Sequence, residues 1–350
     1  MVSFTLVERD AQLRGLVQQW RRARELAIDL EMEAHLHHYG VHLSLVQVSD
    51  GKCVWVVDML AITDPSSLVA LFEDARVVKV FHDVSFDFRV LEELLGCNPK
   101  NIFDTKVAAL LAGRETISLG GLLEEEFGVV KQEKFQRVDW LERPLSRERL
   151  AYAAGDVEHL LRLKAVLVKE LRSLGRLSWC EEECRYLERS SHKAEERTFD
   201  DVKGAKALSE QRRGVLRELY KEREKLARRL DKPVFFVISD KLLVALAKQS
   251  PRSARRWQSL KGVHPAVRRA ANRFASAVCR AKPAPRMAVR RRRLSRRQRS
   301  SLDALLDRRD AIARRLGLEP HLVLSKEQAI AVVTNGGGPR AWQRSLLSLT

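Results

Sequence analysis

Between Asp240 and Asp303 the chain has no acidic residue at all, and cysteine and aromatics are scarce throughout. Five cysteines in 350 residues exclude a disulfide scaffold, and their odd number fits the reduced thiols of a cytoplasmic protein. No apolar run approaches the roughly 18 residues that a membrane span needs. The N-terminus meets Glu8, Arg9 and Asp10 too early for a secretory leader, so no membrane association is expected. No Gly-x4-Gly-Lys-Ser/Thr loop is present, which excludes a P-loop motor, and no Ser/His/Asp order points to a serine hydrolase. Cys180 and Cys184 have one-turn helical spacing, but no second Cys/His pair stands at zinc-site spacing. They read as helix residues.

What the chain has in excess is positive charge, and the excess is uneven. Residues 1–200 hold 27 Lys+Arg against 34 Asp+Glu, a net −7, whereas residues 201–350 hold 37 against 12, a net +25. A mildly acidic body joined to a strongly basic tail suggests catalysis in the first part and polyanion binding in the second. A genome that favours arginine, or a solubility effect, would leave the same totals.

Residues 1–25 read as an opening strand, Phe4–Val7, and a helix over Ala11–Arg24 with Asp10 as its N-cap. A strand over Leu26–Glu31 follows, then His35, His37 and His38 in a loop broken at Tyr39-Gly40. Three close histidines admit a metal reading, against which stands that of solvated loop side chains. Val41–Val48 alternates as a strand, Ser49-Asp50-Gly51-Lys52 marks a hairpin turn, and Cys53–Asp58 returns. These three strands form an antiparallel meander. Pro65–Glu73 reads as a helix and Val77–Phe81 as a further strand. Helices are expected over Ser85–Leu95, Asp104–Leu111 and Leu119–Phe127, with a long one opening at Ser146. Strands alternating with helices make residues 1–190 an α/β domain.

From Leu208 onward the pattern is helical and repeats itself. Ala227-Arg228-Arg229-Leu230 recurs 86 residues later as Ala313-Arg314-Arg315-Leu316, Pro233 as Pro320, Ser239 as Ser325, and Trp257-Gln258 as Trp342-Gln343. Such a period implies two copies of one small helical domain, 206–283 and 294–350, separated by Pro283, Pro285 and the run Arg290–Arg293. The second copy stops before any counterpart of Pro265–Val278, so it is incomplete or borrows packing from elsewhere. Trp257, Phe274 and Trp342 stand at helical spacing and read as core rather than as base-stacking platforms.

Asp29 and Glu31 lie two residues apart in an apolar strand and therefore share a face. Two carboxylates so placed repel each other and lose hydration unless a cation joins them; a solvated strand face is the competing reading. Asp87 stands in the first turn of the helix after the Val77–Phe81 strand, where an acidic residue also suits the helix dipole. Tyr152 and Asp156, four apart, share a helical face, and a buried Tyr–Asp hydrogen bond accounts for that pair equally well. Gly155 between them costs about 1 kcal/mol against alanine, which suggests something packed close to the backbone. Asp83 reads as solvent-facing, Asp104 as a cap and Asp139 as structural, while His82 at a strand end is a candidate substrate contact.

Asp-x-Glu on a strand, Asp at a helix start and Tyr-x3-Asp on a late helix, in that order, resemble the DEDD exonuclease superfamily in its Tyr branch. The His branch would need histidine where Ala151 stands. Phe103-Asp104-Thr105, Glu125–Val129 and Asp139–Leu145 running into Tyr152–Val157 resemble the ribonuclease D family more closely, over roughly residues 4–175. Leu216-x2-Leu219-Tyr220, Asp231-Lys232-Pro233, Ser239-Asp240-x-Leu242-x3-Ala245 and Pro251 resemble the HRDC helical domain. The first copy matches better than the second.

The resemblance implies a ribonuclease H-like exonuclease domain with a mixed sheet, followed by all-α HRDC-type domains. It implies that Asp29, Glu31, Asp87 and Asp156 ligate two divalent metal ions, Mg²⁺ or Mn²⁺, and that Tyr152 orients the attacking water. Its expected activity is 3′→5′ removal of nucleoside 5′-monophosphates from RNA, on tRNA precursors or other small structured RNAs, by a monomer. A DNA exonuclease acting on single-stranded DNA in repair is the alternative within the fold. A nucleic-acid-binding protein without turnover is the alternative outside it.

Overall fold

The computed structural model describes residues 2–131, 133–190, 192–193, 197–285, 294–334 and 337–349. The expected basic run Arg290–Arg293 lies outside them. Strands β1 (Thr5–Val7), β2 (Glu25–Ala34), β3 (Val41–Ser49), β4 (Val54–Asp58), β5 (Val78–Phe81) and β6 (Ile102–Asp104) form one mixed sheet in the order β1-β4-β3-β2-β5-β6. The meander β2-β3-β4 is antiparallel, while β1 joins β4, and β5 joins both β2 and β6, in parallel. β4 is buried at every position, as a strand covered on both faces must be.

Helices α1 (Asp10–Trp20), α2 (Ser66–Phe72), α3 (Ser85–Leu95), α4 (Thr105–Ala112), α5 (Leu119–Phe127), α6 (Arg147–Glu158), α7 (Leu160–Ser173) and α8 (Leu177–Arg189) complete this part. α6 packs on β2, β3 and β4, and α7 on β2, β5 and α4. Two expectations change here. α1 stops at Trp20 rather than Arg24, because Trp20 is buried and the chain turns at once to start β2 at Glu25. Asp10 is not the N-cap, a place held by Arg9; its carboxylate instead accepts from the backbone N–H (3.0 Å) and hydroxyl (2.5 Å) of Thr63. β6, three residues long, is too short to leave a periodic trace in the sequence.

The basic half builds two further apolar cores. α9 (Glu210–Leu230), α10 (Val234–Val237), α11 (Asp240–Gln249), α12 (Ala254–Gln258), α13 (Pro265–Arg269) and α14 (Ala271–Arg280) surround one, which also takes in Val202 and Ala205 upstream. α15 (Arg296–Leu316), α16 (Pro320–Val323), α17 (Lys326–Val333) and α18 (Ala341–Leu347) surround the other. α9 and α15 are both 21 residues long and both capped by serine, Ser209 and Ser295; Ser239 and Ser325 cap α11 and α17. α13 and α14 have no counterpart in the second copy. In the first copy Trp257 stacks on Phe274 of α14, ring centroids 4.9 Å apart. In the second, Trp342 stacks on Trp179 of α8, also at 4.9 Å. The shortened copy thus takes from the α/β body the aromatic partner it lacks. The exposed aromatics of the first copy are Phe235 and Phe236, not Trp257 or Phe274.

Candidate active site

β2 presents Asp29 and Glu31 side by side, and α6 crosses the sheet so that Asp156 meets them. Carboxylate oxygens of Asp29, Glu31 and Asp156 all lie within 4.8 Å of one another. Asp87, in the first turn of α3, is buried against the same group and repels it: its charge bears on Glu31, and that of Asp29 bears on Asp87. Tyr152 sits one turn before Asp156 on α6. Its ring lies near-parallel to Trp140 at 6.2 Å and edge-on to Phe135 at 5.6 Å. Three of the carboxylates thus meet beside β2, with Asp87 close enough for its charge to bear on Glu31 and Tyr152 one turn from Asp156.

Burial and mutual repulsion govern the electrostatics. Burial, opposed by the Lys131 ammonium, raises the Asp29 carboxyl to about 6. Glu31 and Asp87 are pushed well above the usual carboxylate range, first by burial and then by neighbouring carboxylates, Asp29 foremost. Such a cluster calls for cations. Its donors are hard oxygens, and three of them lie within 4.8 Å of one another, near enough to share a divalent ion. The residues present fit a divalent metal site.

Surrounding residues hold the ligands in place. Asp104 caps α4, accepting from the N–H of Lys106 and Val107, and also accepts from Asp83 N at 3.1 Å and Val84 N at 2.9 Å. One buried carboxylate therefore anchors the starts of α3 and α4, and with α3 the position of Asp87. Asp83 is half exposed but does not simply face solvent, since it pairs with Lys106 at 2.5 Å. His82, the candidate substrate contact, is partly buried and tied into the protein on one side of its ring. Its Nδ1 meets Thr105 Oγ1 at 2.9 Å, and burial lowers its pKa to about 4, which keeps it neutral. Arg143 grips Asp58 through Nε (2.7 Å) and Nη2 (2.8 Å) and donates to Trp140 O (2.7 Å), fixing the segment that backs Tyr152. Gly155 is not tightly approached: a Cβ there would meet Val2 at an ordinary 3.9 Å.

The histidine loop is exposed at His35, but His37 and His38 are partly buried and bonded. Glu33 accepts from the N–H of Leu36 (2.5 Å) and His37 (2.7 Å) and meets His37 Nδ1 at 2.9 Å. His38 bridges Asp139 (Nε2, 2.9 Å) and Asp231 of the first helical copy (Nδ1, 2.5 Å). Glu33, His37 and Asp139 come within ion-holding distance, yet each is already engaged by these bonds. Asp139, placed beside Trp140 where it could line the pocket or be structural, accepts from Leu141 N at 2.9 Å and is bonded to His38. Cys180 and Cys184 are buried side by side in α8, with Asp104 N donating to Cys184 Sγ.

Sequence reasoning missed Lys131. It forms an ion pair with Asp156 and lies 5.0 Å from the Tyr152 ring centre. A cavity of about 530 Å³ adjoins it, lined also by Lys134, Phe135, Tyr152 and His159. Lys131 follows α5 in an irregular segment, where no periodicity marks its direction. A second cavity, about 380 Å³, lies between α4, α8 and the last helical unit and is lined by none of the five candidate residues.

Comparison with known proteins accords with this arrangement. A 3′-5′ exonuclease family profile matches residues 4–172 and an HRDC domain profile residues 212–278. Ribonuclease D of Desulfotalea psychrophila is 31% identical over 252 residues, 70% of this chain and 67% of that protein. Ribonuclease D of Escherichia coli is 31% identical over 262 residues, 74% of this chain and 70% of that one. The matches span about two thirds of these relatives' lengths. The crystal structure of Escherichia coli RNase D, an exoribonuclease involved in structured RNA processing, superposes with a TM-score of 0.76 at 25% identity, covering 99% of this chain and 97% of that one. The catalytic core of RRP6 from Trypanosoma brucei gives 0.70 at 27% identity, over 80% and 79%. In sequence and architecture, the chain belongs to the ribonuclease D family of 3′–5′ exoribonucleases.

Proposed function

We propose that this chain trims the 3′ ends of tRNA precursors or other small structured RNAs, one nucleoside 5′-monophosphate at a time, by two-metal hydrolysis. The observation that carries this reading is the meeting of partly buried Asp29 and Glu31 with buried Asp156, with Asp87 and Tyr152 close by. Asp29, Glu31, Asp87 and Asp156 would hold two divalent ions, Mg²⁺ or Mn²⁺. Ions bound there supply a nucleophile at neutral pH and stabilise the departing 3′-oxygen.

The protein's own part is positional. The Tyr152 hydroxyl orients the attacking water, from a ring that Trp140 and Phe135 keep from swinging. Water oxygen gives up a proton and bonds to the phosphorus of the last linkage, the bond to the preceding nucleotide's 3′-oxygen breaks, that oxygen takes up a proton, and the phosphate leaves on the released nucleoside as its 5′-monophosphate. Residues 1–190 perform this chemistry in a monomer. The units 206–283 and 294–350 hold the RNA through its phosphates, because their net charge is high and Trp257 and Trp342 are committed to cores.

The test uses 5′-labelled RNA and DNA of one sequence with a single-stranded 3′ end, incubated with Mg²⁺, Mn²⁺ or EDTA. A metal-dependent one-nucleotide ladder from RNA alone is expected. Equal degradation of DNA would overturn the substrate class. Binding without cleavage under either metal would overturn the catalytic reading.

A further inference from the structure

Asp29, Glu31 and Asp156 do not wait for an outside cation, because the fold brings one of its own. The Lys131 ammonium pairs directly with Asp156, and its charge offsets those of Asp29 and Glu31. Both partners of the pair are well shielded, with side chains 19% and 7% exposed. A buried ammonium among carboxylates satisfies the same electrostatic demand that a metal ion would. Where the ammonium lies against Asp156, a metal ion cannot also lie.

Lys131 is also free to leave. It lies between the end of α5 and the short 3₁₀ turn Glu133–Phe135, outside any helix or strand. The 530 Å³ cavity beside it offers the ammonium a place close to the Tyr152 ring it already faces at 5.0 Å. A lysine whose task was purely structural would be locked into a regular element or tied to backbone carbonyls, as Lys79 is to Asp74 O and Val77 O.

We propose that Lys131 is a built-in competitor for the metal site: its ammonium occupies the Asp29–Glu31–Asp156 pocket and must swing aside before divalent ions bind. The proposal rests on reading those carboxylates as metal ligands. It makes metal affinity a difference between two cations. Removing the lysine should therefore strengthen metal binding, the opposite of what deleting a helpful neighbour would do.

The experiment titrates Mn²⁺ into the full chain as wild type, Lys131→Met and Asp29→Asn, followed by calorimetry. Lys131→Met is expected to bind roughly ten-fold more tightly, about 1.4 kcal/mol. In EDTA it should melt below wild type, and saturating Mn²⁺ should close that gap. Equal or weaker Mn²⁺ binding by Lys131→Met would overturn the competition. If wild type and Asp29→Asn bind Mn²⁺ alike, the ligand reading itself fails. A second readout needs no variant: amine labelling of Lys131 in the wild type, read by mass spectrometry, should rise on Mn²⁺ saturation. Unchanged labelling would overturn the proposal.

Discussion

At the scale of single residues, a carboxylate means little until its neighbours are known. Asp29 and Glu31 alone fit a solvated strand face; their meeting with Asp156, with Asp87 nearby, argues against that reading. The pattern is legible because each candidate sits on a regular element whose period fixes its direction. Lys131 is not, since its partner Asp156 is 25 positions away and no local rule links them. His38 misleads for the same reason, as its two carboxylates come from distant parts of the chain. Tyr152→Phe keeps the ring between Trp140 and Phe135 but removes the hydroxyl. Turnover should fall by roughly 10²-fold, the scale of removing one orienting hydrogen bond, with Mn²⁺ affinity unchanged. Wild-type turnover would remove Tyr152 from the mechanism.

At the scale of elements, the loop between β2 and β3 is a latch between the α/β body and α9. His38 binds Asp139 and Asp231, Tyr39 N donates to Asp231 Oδ1 at 3.1 Å, Tyr39 OH donates to Glu224, and Arg228 stacks on the Tyr39 ring at 5.5 Å. Glu33 and His37 complete the charged surroundings. Hydrogen bonds donated to Asp231, and then to Asp139, raise the His38 pKa above the ordinary 6.5. The imidazolium's contribution is therefore complete below about 6.5 and is lost as pH rises through the raised value. Asp231 and Asp139 are held below the usual range. His38 is the first cause for Asp231; for Asp139, burial opposes the bonds from His38 and Leu141. Those contributions are lost only on strong acidification. Hydrogen exchange at the start of β3 and the end of α9 should accelerate as pH rises above about 6.5, beyond its intrinsic rise, and less so in His38→Ala. Equal acceleration in both would dismiss the latch.

A second element-level prediction concerns Gly214 in α9. A Cβ there would run into the carbonyl of Lys282, where the chain after α14 lies across the helix and Ala284 N donates to Glu210 O at 2.9 Å. Gly214→Ala should lower the melting temperature of the first helical unit despite alanine's better helix propensity. A gain in stability would show that the crossing is loose. The sequence marks Gly214 only as a poor helix former; its use appears once the crossing chain is seen.

At the scale of the molecule, the repeat is readable because α9 through α12 and α15 through α18 keep the same succession of helices at one period. What completes the shorter copy is not readable, because Trp179 comes from the α/β body. The join is polar as well: Arg340 lies 3.6 Å over the Tyr186 ring, Trp342 Nε1 donates to Glu183 at 2.8 Å, and Arg176 donates to Leu316 O at 2.7 Å. The basic units are thus fixed to the catalytic body while carrying its positive charge. Arg255, Arg256, Lys261 and Arg268 are exposed on the first unit. Replacing all four by alanine should flatten the slope of log affinity against log salt. The change should reach up to about 0.7 for each phosphate of single-stranded RNA that is no longer neutralised. An unchanged slope would place the RNA path elsewhere.

The central claim is that the carboxylate cleft on β2 performs metal-dependent hydrolysis, and Asp29→Asn isolates it by keeping side-chain size while removing one charge. The decisive measurement is single-turnover cleavage of 5′-labelled RNA at saturating Mn²⁺ by wild type and Asp29→Asn, beside RNA binding by both proteins. The account predicts a rate loss of at least about 10³-fold, or roughly 4 kcal/mol of barrier, with RNA affinity retained. Normal cleavage by Asp29→Asn would contradict it.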